Sequence, residues 1–181
     1  VAWTLSETIT ATADSTISGS AEIFNGQGGN GVIFSVSDGA TLTVSAPLID
    51  GDDSTWSGTG LATGFSKTGL GTLTLSGTNT FSGTVNISAG SLAISNSSAL
   101  GTTSGKTTVS DGATLQISGG ITVAENMYVN GSGVSSNGAV YFLSGNNTYS
   151  GAIVLQSNTT MTSAAGNQTF SGTINGAYDL T

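Results

Sequence analysis

The sequence predicts an all-β protein wound as a single parallel β-solenoid, and three observations carry that expectation. First, the chain repeats itself. Ser37-Asp38-Gly39-Ala40-Thr41-Leu42-Thr43-Val44 returns as Ser110-Asp111-Gly112-Ala113-Thr114-Leu115-Gln116-Ile117. Ser76-Gly77-Thr78-Asn79-Thr80-Phe81-Ser82-Gly83 returns as Ser144-Gly145-Asn146-Asn147-Thr148-Tyr149-Ser150-Gly151, with a shorter echo at Gln168-Thr169-Phe170-Ser171-Gly172. Self-similarity of this kind marks a chain that stacks one unit on its neighbour. Second, apolar residues fall in short period-2 runs, and no stretch carries a helical stripe of useful length. Third, the 181 residues include 28 Gly and 1 Pro, and only 7% are charged. Disordered chains are rich in charge and proline; Ser, Thr, Asn and Gly between Val, Ile, Leu and Phe belong to strands joined by tight turns.

In chain order, Thr8-Ile9-Thr10 alternates as a strand edge should. Asn25-Gly26-Gln27-Gly28-Gly29-Asn30-Gly31 is too rich in glycine for a strand and is expected to be a loop. Asp38-Gly39 is a turn before Thr41-Leu42-Thr43, and Asp111-Gly112 repeats it. Asp50-Gly51-Asp52-Asp53-Ser54-Thr55-Trp56 breaks the alternation after Pro47 and is expected to protrude, over residues 50–60. Thr72-Leu73-Thr74-Leu75, Thr84-Val85-Asn86-Ile87, Ser91-Leu92-Ala93-Ile94, Thr107-Thr108-Val109, Thr114-Leu115-Gln116-Ile117 and Ile121-Thr122-Val123 alternate clearly. With two or three such strands per coil, and a coil of about 20 to 25 residues, the chain holds roughly eight coils in one domain, 1–181. At about 4.8 Å per coil this is a rod of about 40 Å.

Composition limits function. Acids outnumber bases ten to two, Lys67 and Lys106, and the net charge is -8. Two lysines cannot make the basic surface that nucleic acid requires, so no nucleic-acid partner is expected. Without His or Cys there is no Ser-His-Asp or Cys-His catalysis, no disulfide and no thiolate metal site. Lys67 and Lys106 could serve only in a Ser-Lys pair, and Lys67 is expected at a structural turn. Carboxylates at Asp38, Asp50, Asp52, Asp53 and Asp111 raise polysaccharide hydrolysis, which needs a pair across a cleft. A lyase would want a base beside them, and the chain has no Arg. Asp50, Asp52 and Asp53 are the candidate calcium ligands, although they lack the spacing of an EF-hand loop, and a solvated acidic loop is the expectation. Among Trp3, Trp56, Tyr128, Tyr141, Tyr149 and Tyr178, Trp56 is the candidate surface contact, whereas Phe81, Tyr149 and Phe170 share one repeat position and are expected to stack. Thr-x-Thr at Thr8-Ile9-Thr10, Thr41-Leu42-Thr43 and Thr72-Leu73-Thr74 fits an ice-binding face locally, but later coils do not repeat it.

One stretch is more specific. Phe65-Ser66-Lys67-Thr68-Gly69-Leu70-Gly71-Thr72-Leu73-Thr74-Leu75-Ser76-Gly77-Thr78-Asn79-Thr80-Phe81-Ser82-Gly83, continued by Val85, Ile87, Gly90 and Leu92, closely resembles the autotransporter-associated β-strand repeat, or passenger-associated transport repeat. The match covers 65–94. Its motif positions here are Lys67, Gly69, Gly71, Thr72, Leu73, Leu75, Gly77, Asn79, Thr80, Phe81, Gly83, Gly90 and Leu92. The departures are Phe65 for Leu, Ser66 for Thr and Phe81 for Tyr. The resemblance implies a right-handed parallel β-helix from the passenger of a Gram-negative autotransporter, secreted or held at the cell surface by type V secretion. Its implied partner is the passenger's own C-terminal outer-membrane β-barrel. The expected role is that of a non-enzymatic, cofactor-free rigid stalk or adhesin scaffold whose coil stacking assists export. Contact with a host or neighbouring cell surface or with polysaccharide, and self-association through unpaired edges, are the further partners it raises. The opening Val1-Ala2-Trp3, without Met or signal peptide, suggests a segment of a longer passenger, uncapped at both ends.

Overall fold

The computed structural model describes the backbone of residues 3–5, 8–20, 23–27, 31–52 and 61–181, and the side chains of 8–20, 31–50 and 61–181. An alternating strand buries one face only, so each needs a partner above, a partner below and a shared interior. The chain meets this by winding. One side is an eight-stranded sheet of Thr8–Ala11, Val32–Val36, Phe65–Thr68, Val85–Ile87, Thr107–Val109, Met127–Gly131, Ile153–Thr159 and Ile174–Asn175. A second side holds seven strands: Ser15–Ile17, Thr41–Val44, Thr72–Leu75, Gly90–Ile94, Ala113–Ile117, Val140–Phe142 and Met161–Ser163. The third side is interrupted. Trp3–Leu5, Ile23–Gln27 and Leu48–Asp52 form one small sheet, and Thr122–Val123, Thr148–Tyr149 and Thr169–Phe170 another. Every strand pairing among the described residues is parallel, one winding to the next. The result is the expected β-solenoid, of about six full turns rather than eight. Windings are uneven in length: the register partners Val32 and Phe65 lie 33 residues apart, so dividing the length by a coil of about 20 to 25 residues overcounts.

Register turns the sequence alternation into columns. Leu42, Leu73, Leu92, Leu115 and Val140 stack directly, and all are buried. Beside them run Val44, Leu75, Ile94, Ile117 and Phe142. Burying each such side chain stabilises the fold by about 1.5–3 kcal/mol, which makes these columns the main source of stability. A one-residue slip would turn the whole set to solvent, so the pattern also fixes the register. On the eight-stranded side Phe34 packs edge-on against Phe65 at 5.5 Å between centroids, and Phe65 against Phe81 at 5.7 Å. The expected stack of Phe81, Tyr149 and Phe170 is therefore only partly formed. Tyr149 and Phe170 are register partners, but the Phe170 ring meets Phe142 at 5.7 Å.

The repeated Asp-Gly corners are turns as expected. Ala40 N–H donates to Ser37 O and Ala113 N–H to Ser110 O, both at 3.0 Å. Gly39 and Gly112 have φ of 74° and 75°, the third position of a type II turn. Gly83 is glycine for a different reason: a Cβ there would lie 2.2 Å from Gly64 N and 2.3 Å from Thr63 C of the neighbouring winding. Gly112, by contrast, has nothing within 4 Å. Gly83→Ala is therefore expected to lower stability by about 2–3 kcal/mol through forced separation of two windings. Gly112→Ala should lose only about 1 kcal/mol, from backbone conformation. Thermal or urea melts of the pair test this; equal losses would contradict it.

Two sequence expectations are corrected. Ile23–Gln27 is a strand, not part of a loop, with Asn25 opposite Asp50 and Gln27 opposite Asp52. A parallel ladder is made by backbone groups, so a neighbouring winding can hold a glycine-containing segment extended despite its poor propensity. For the same reason residues 50–52 continue the strand Leu48–Asp52 instead of entering a protruding loop. Residues 28–30 and 53–60, including Asp53 and Trp56, lie outside the described residues.

Candidate functional site

The repeat motif occupies one winding and the start of the next. Phe65–Thr68 and Thr72–Leu75 supply its first two strands, and Val85–Ile87 and Gly90–Ile94 continue it one winding later. Leu73, Leu75, Phe81 and Leu92 point inward and are buried; Thr72 and Thr74 line the outer face. Gly69 and Gly90 turn the corners with φ of 73° and 65°, while Gly71 and Gly77 lie where a Cβ would strike the carbonyls of Ser37 and Ala46.

Lys67 is not at a turn. It stands in the strand Phe65–Thr68 with its side chain in the core column between Phe34 and Ile87. From there its Nζ donates to Thr68 O at 2.9 Å, Gly69 O at 2.8 Å and Ala89 O at 3.1 Å. These carbonyls belong to two successive corners, so one ammonium joins two windings. A lysine carries three donors and a long apolar stem, which is what an interior position with three inward carbonyls requires. Burial lowers its pKa from the usual 10.5 to about 8.

Asn79 does the same on the third side. Leu48 N–H donates to its Oδ1 at 2.9 Å, and its Nδ2 donates to Ala99 O at 2.6 Å. Thr80, the next motif residue, donates its N–H to Leu48 O at 2.9 Å. A single buried amide thus spans three windings where the strands give out. The repeated segment reproduces the device: Asn147 Oδ1 accepts from the N–H groups of Gly120 and Ile121 at 2.9 and 3.1 Å, and Nδ2 donates to Ser144 O, Gly145 O and Gln168 Oε1. The echo at Gln168 places glutamine where the earlier copies carry asparagine.

Asp50, a calcium candidate, is occupied by the protein. Its Oδ1 accepts from Ser82 N–H at 2.7 Å and Thr63 N–H at 3.1 Å, and its Oδ2 from Ser82 Oγ at 2.7 Å. Among the described residues no group of three acidic side chains gathers as a metal site would require. Lys106, the other lysine, lies 4.9 Å above the Tyr128 ring.

Glu125 is the residue that sequence reasoning missed. It falls on the inward phase of Ile121-Thr122-Val123-Ala124-Glu125-Asn126-Met127 and is 3% exposed. Neither carboxyl oxygen has a hydrogen-bond partner, and the buried hydroxyls of Thr102 and Thr107 are likewise unpaired. Burial pushes the Glu125 carboxyl up to about 8; the Thr107 hydroxyl, which makes no hydrogen bond of good geometry, opposes this only in part. Tyr149 OH donates to the Glu125 backbone carbonyl, and burial, then the Glu125 charge, raise the phenol pKa. A continued period-2 pattern across 121–127 was the available signal. An acid on the inward phase looks like an interruption unless the strand is extended through it.

The motif winding thus holds a set of ties between windings. A search of curated proteins and a search of solved structures each returned no match. A scan against family models matched the passenger-associated-transport-repeat at residues 65–94 and 140–157. The two matched segments carry Asn79 and Asn147, the two amides that hold the third side together. Two segments of this parallel β-solenoid, residues 65–94 and 140–157, are thus similar to the passenger-associated transport repeat.

Proposed function

We propose that this chain is a non-enzymatic segment of an autotransporter passenger, secreted or displayed at a Gram-negative cell surface, that serves as a rigid stalk or adhesin scaffold. The observation that supports it is the placement of the matched repeats at ties between windings: successive windings dock by a parallel ladder and a column of apolar side chains, and Lys67, Asn79 and Asn147 add a buried ammonium and two buried amides. Nearest-neighbour stacking of this kind lets folding propagate from one end. Propagation outside the cell would oppose backsliding of the chain and assist its passage across the outer membrane through its own C-terminal β-barrel.

The test fuses the chain to an outer-membrane β-barrel translocator and follows its appearance at the cell surface. Asn79→Ala and Gly83→Ala should slow surface appearance in proportion to their loss of stability, whereas Gly112→Ala should slow it little. Unchanged export by variants that melt far lower would overturn the export role.

A further inference from the structure

The corner between the eight-stranded and seven-stranded sides is tight in the early windings, with four-residue turns such as Ser37-Asp38-Gly39-Ala40. It opens in the later ones. The register shifts between Val129 and Gly131: Val129 still pairs with Leu155, but Gly131 pairs with Thr159. Two extra residues on one strand lift Gln156, Ser157 and Asn158 out of the ladder, and such bulges re-aim side chains. Gly131 N–H donates to Ser157 Oγ at 2.9 Å, which fixes the bulge. Beside it lies an open cleft of about 520 Å³ lined by Asp111, Asn130, Gly131, Ser157, Asn158 and Tyr178.

Four successive windings contribute to this cleft, and each presents a free group. Among the described residues the Asp111 carboxylate takes no hydrogen bond and no ion pair; it fills the space over Gly131, where an added Cβ would lie within 1.8 Å of its Oδ1. Asn130 donates through Nδ2 to Val109 O at 3.1 Å and Gln156 Oε1 at 3.2 Å, which leaves its Oδ1 to accept. Asn158 accepts Asp179 N–H at 3.2 Å through Oδ1, which leaves its Nδ2 to donate. Tyr178 is 50% exposed at the far end. Three winding steps of about 4.8 Å give a row of about 14 Å.

We propose that this cleft binds a neutral oligosaccharide. A carboxylate and a carbonyl that accept, an amide that donates and an exposed aromatic ring suit a ligand with hydroxyls along its edge and apolar ring faces. The length suits several linked rings rather than one. The net charge of -8, with an unneutralised carboxylate in the cleft, disfavours an acidic polymer. The inference is independent of the export role, which concerns the buried ties at Lys67, Asn79 and Asn147, none of which lines the cleft.

The test titrates the chain with maltotriose, cellotriose, triacetylchitotriose and trigalacturonate, read by amide NMR shifts and calorimetry. At least one neutral trisaccharide should saturate with shifts centred on Asp111, Asn130, Gly131, Ser157 and Asn158, and trigalacturonate should bind more weakly. Tyr178→Ala and Asp111→Asn should each weaken that binding about tenfold or more without lowering the melting temperature. Absence of saturable cleft shifts with every neutral trisaccharide at about 10 mM would overturn the proposal. So would binding that survives both substitutions.

Discussion

Glu125→Gln is expected to stabilise the protein at pH 7 by about 3 kcal/mol, a melting-temperature gain on the order of 10 °C. The buried carboxyl has a pKa of about 8, against an ordinary value of 4.5. Below about pH 4.5 both folded and unfolded chains hold the proton, and burial of the neutral acid carries no ionisation penalty. Between 4.5 and 8 the unfolded chain releases a proton that the folded chain keeps, so stability falls as pH rises, by up to about 1.4 kcal/mol per pH unit. Above 8 this contribution is flat. Lys67 acts with the opposite slope in the next window. Its folded pKa of about 8 lies below the usual 10.5, so from pH 8 upward the folded chain loses its proton before the unfolded chain does, and stability recovers. The wild-type protein should therefore be least stable near pH 8. Glutamine at position 125 keeps the shape and removes the acid limb; Lys67→Met should remove the alkaline limb. Melts of the three proteins between pH 4 and 10 check this, and a wild-type melting temperature that rises from pH 5 to 7.5 would refute it.

Asn79→Ala is expected to cost about 2–4 kcal/mol. It strands the Leu48 N–H and the Ala99 carbonyl in a buried place, and each unsatisfied group costs about 1–3 kcal/mol. Asn147→Ala should cost about as much, since the Gly120 and Ile121 N–H groups lose their acceptor. The two amides share no partner, so the double variant should lose the sum. Asn96→Ala is the comparison, with an expected loss of about 1 kcal/mol: its amide donates at 3.3 and 3.1 Å to Ser76 O and the Thr78 hydroxyl in a solvent-exposed setting, and its Oδ1 accepts from Ser98 N–H at 2.9 Å in a part-buried turn. Urea melts of the four variants give the comparison. Similar small losses for Asn79 and Asn96 would show that the motif amides are not structural ties.

The sequence carried the architecture because the solenoid's interior is written in period 2. Thr72-Leu73-Thr74-Leu75 and Ser91-Leu92-Ala93-Ile94 can bury only one face, and their recurrence needs only stacking to become the Leu73–Leu92 column. Asn79 and Lys67 were legible as motif positions, yet their roles were not. Lysine looks like a turn or surface residue until the carbonyls of Thr68, Gly69 and Ala89 are seen to converge inside the winding. The strand Ile23–Gln27 was hidden because its extension is imposed by neighbours rather than by its own residues. The cleft was hidden for a related reason. Asp111 reads as a turn residue and Tyr178 as a lone aromatic, 67 positions apart, and only the bulge in Ile153–Thr159 brings Ser157 and Asn158 between them.

The most direct measurement uses the absence of native cysteine, which allows clean paired spin labels on the outward column of the second side. Thr43, Thr74, Ala93, Gln116, Tyr141 and Thr162 are successive register partners there. Label pairs 43/116, 43/141 and 43/162 are three, four and five windings apart. Their electron-spin distances should rise in equal steps of about 4.8 Å. Distances that do not climb with winding number, or that shorten from one pair to the next, would contradict the wound parallel column.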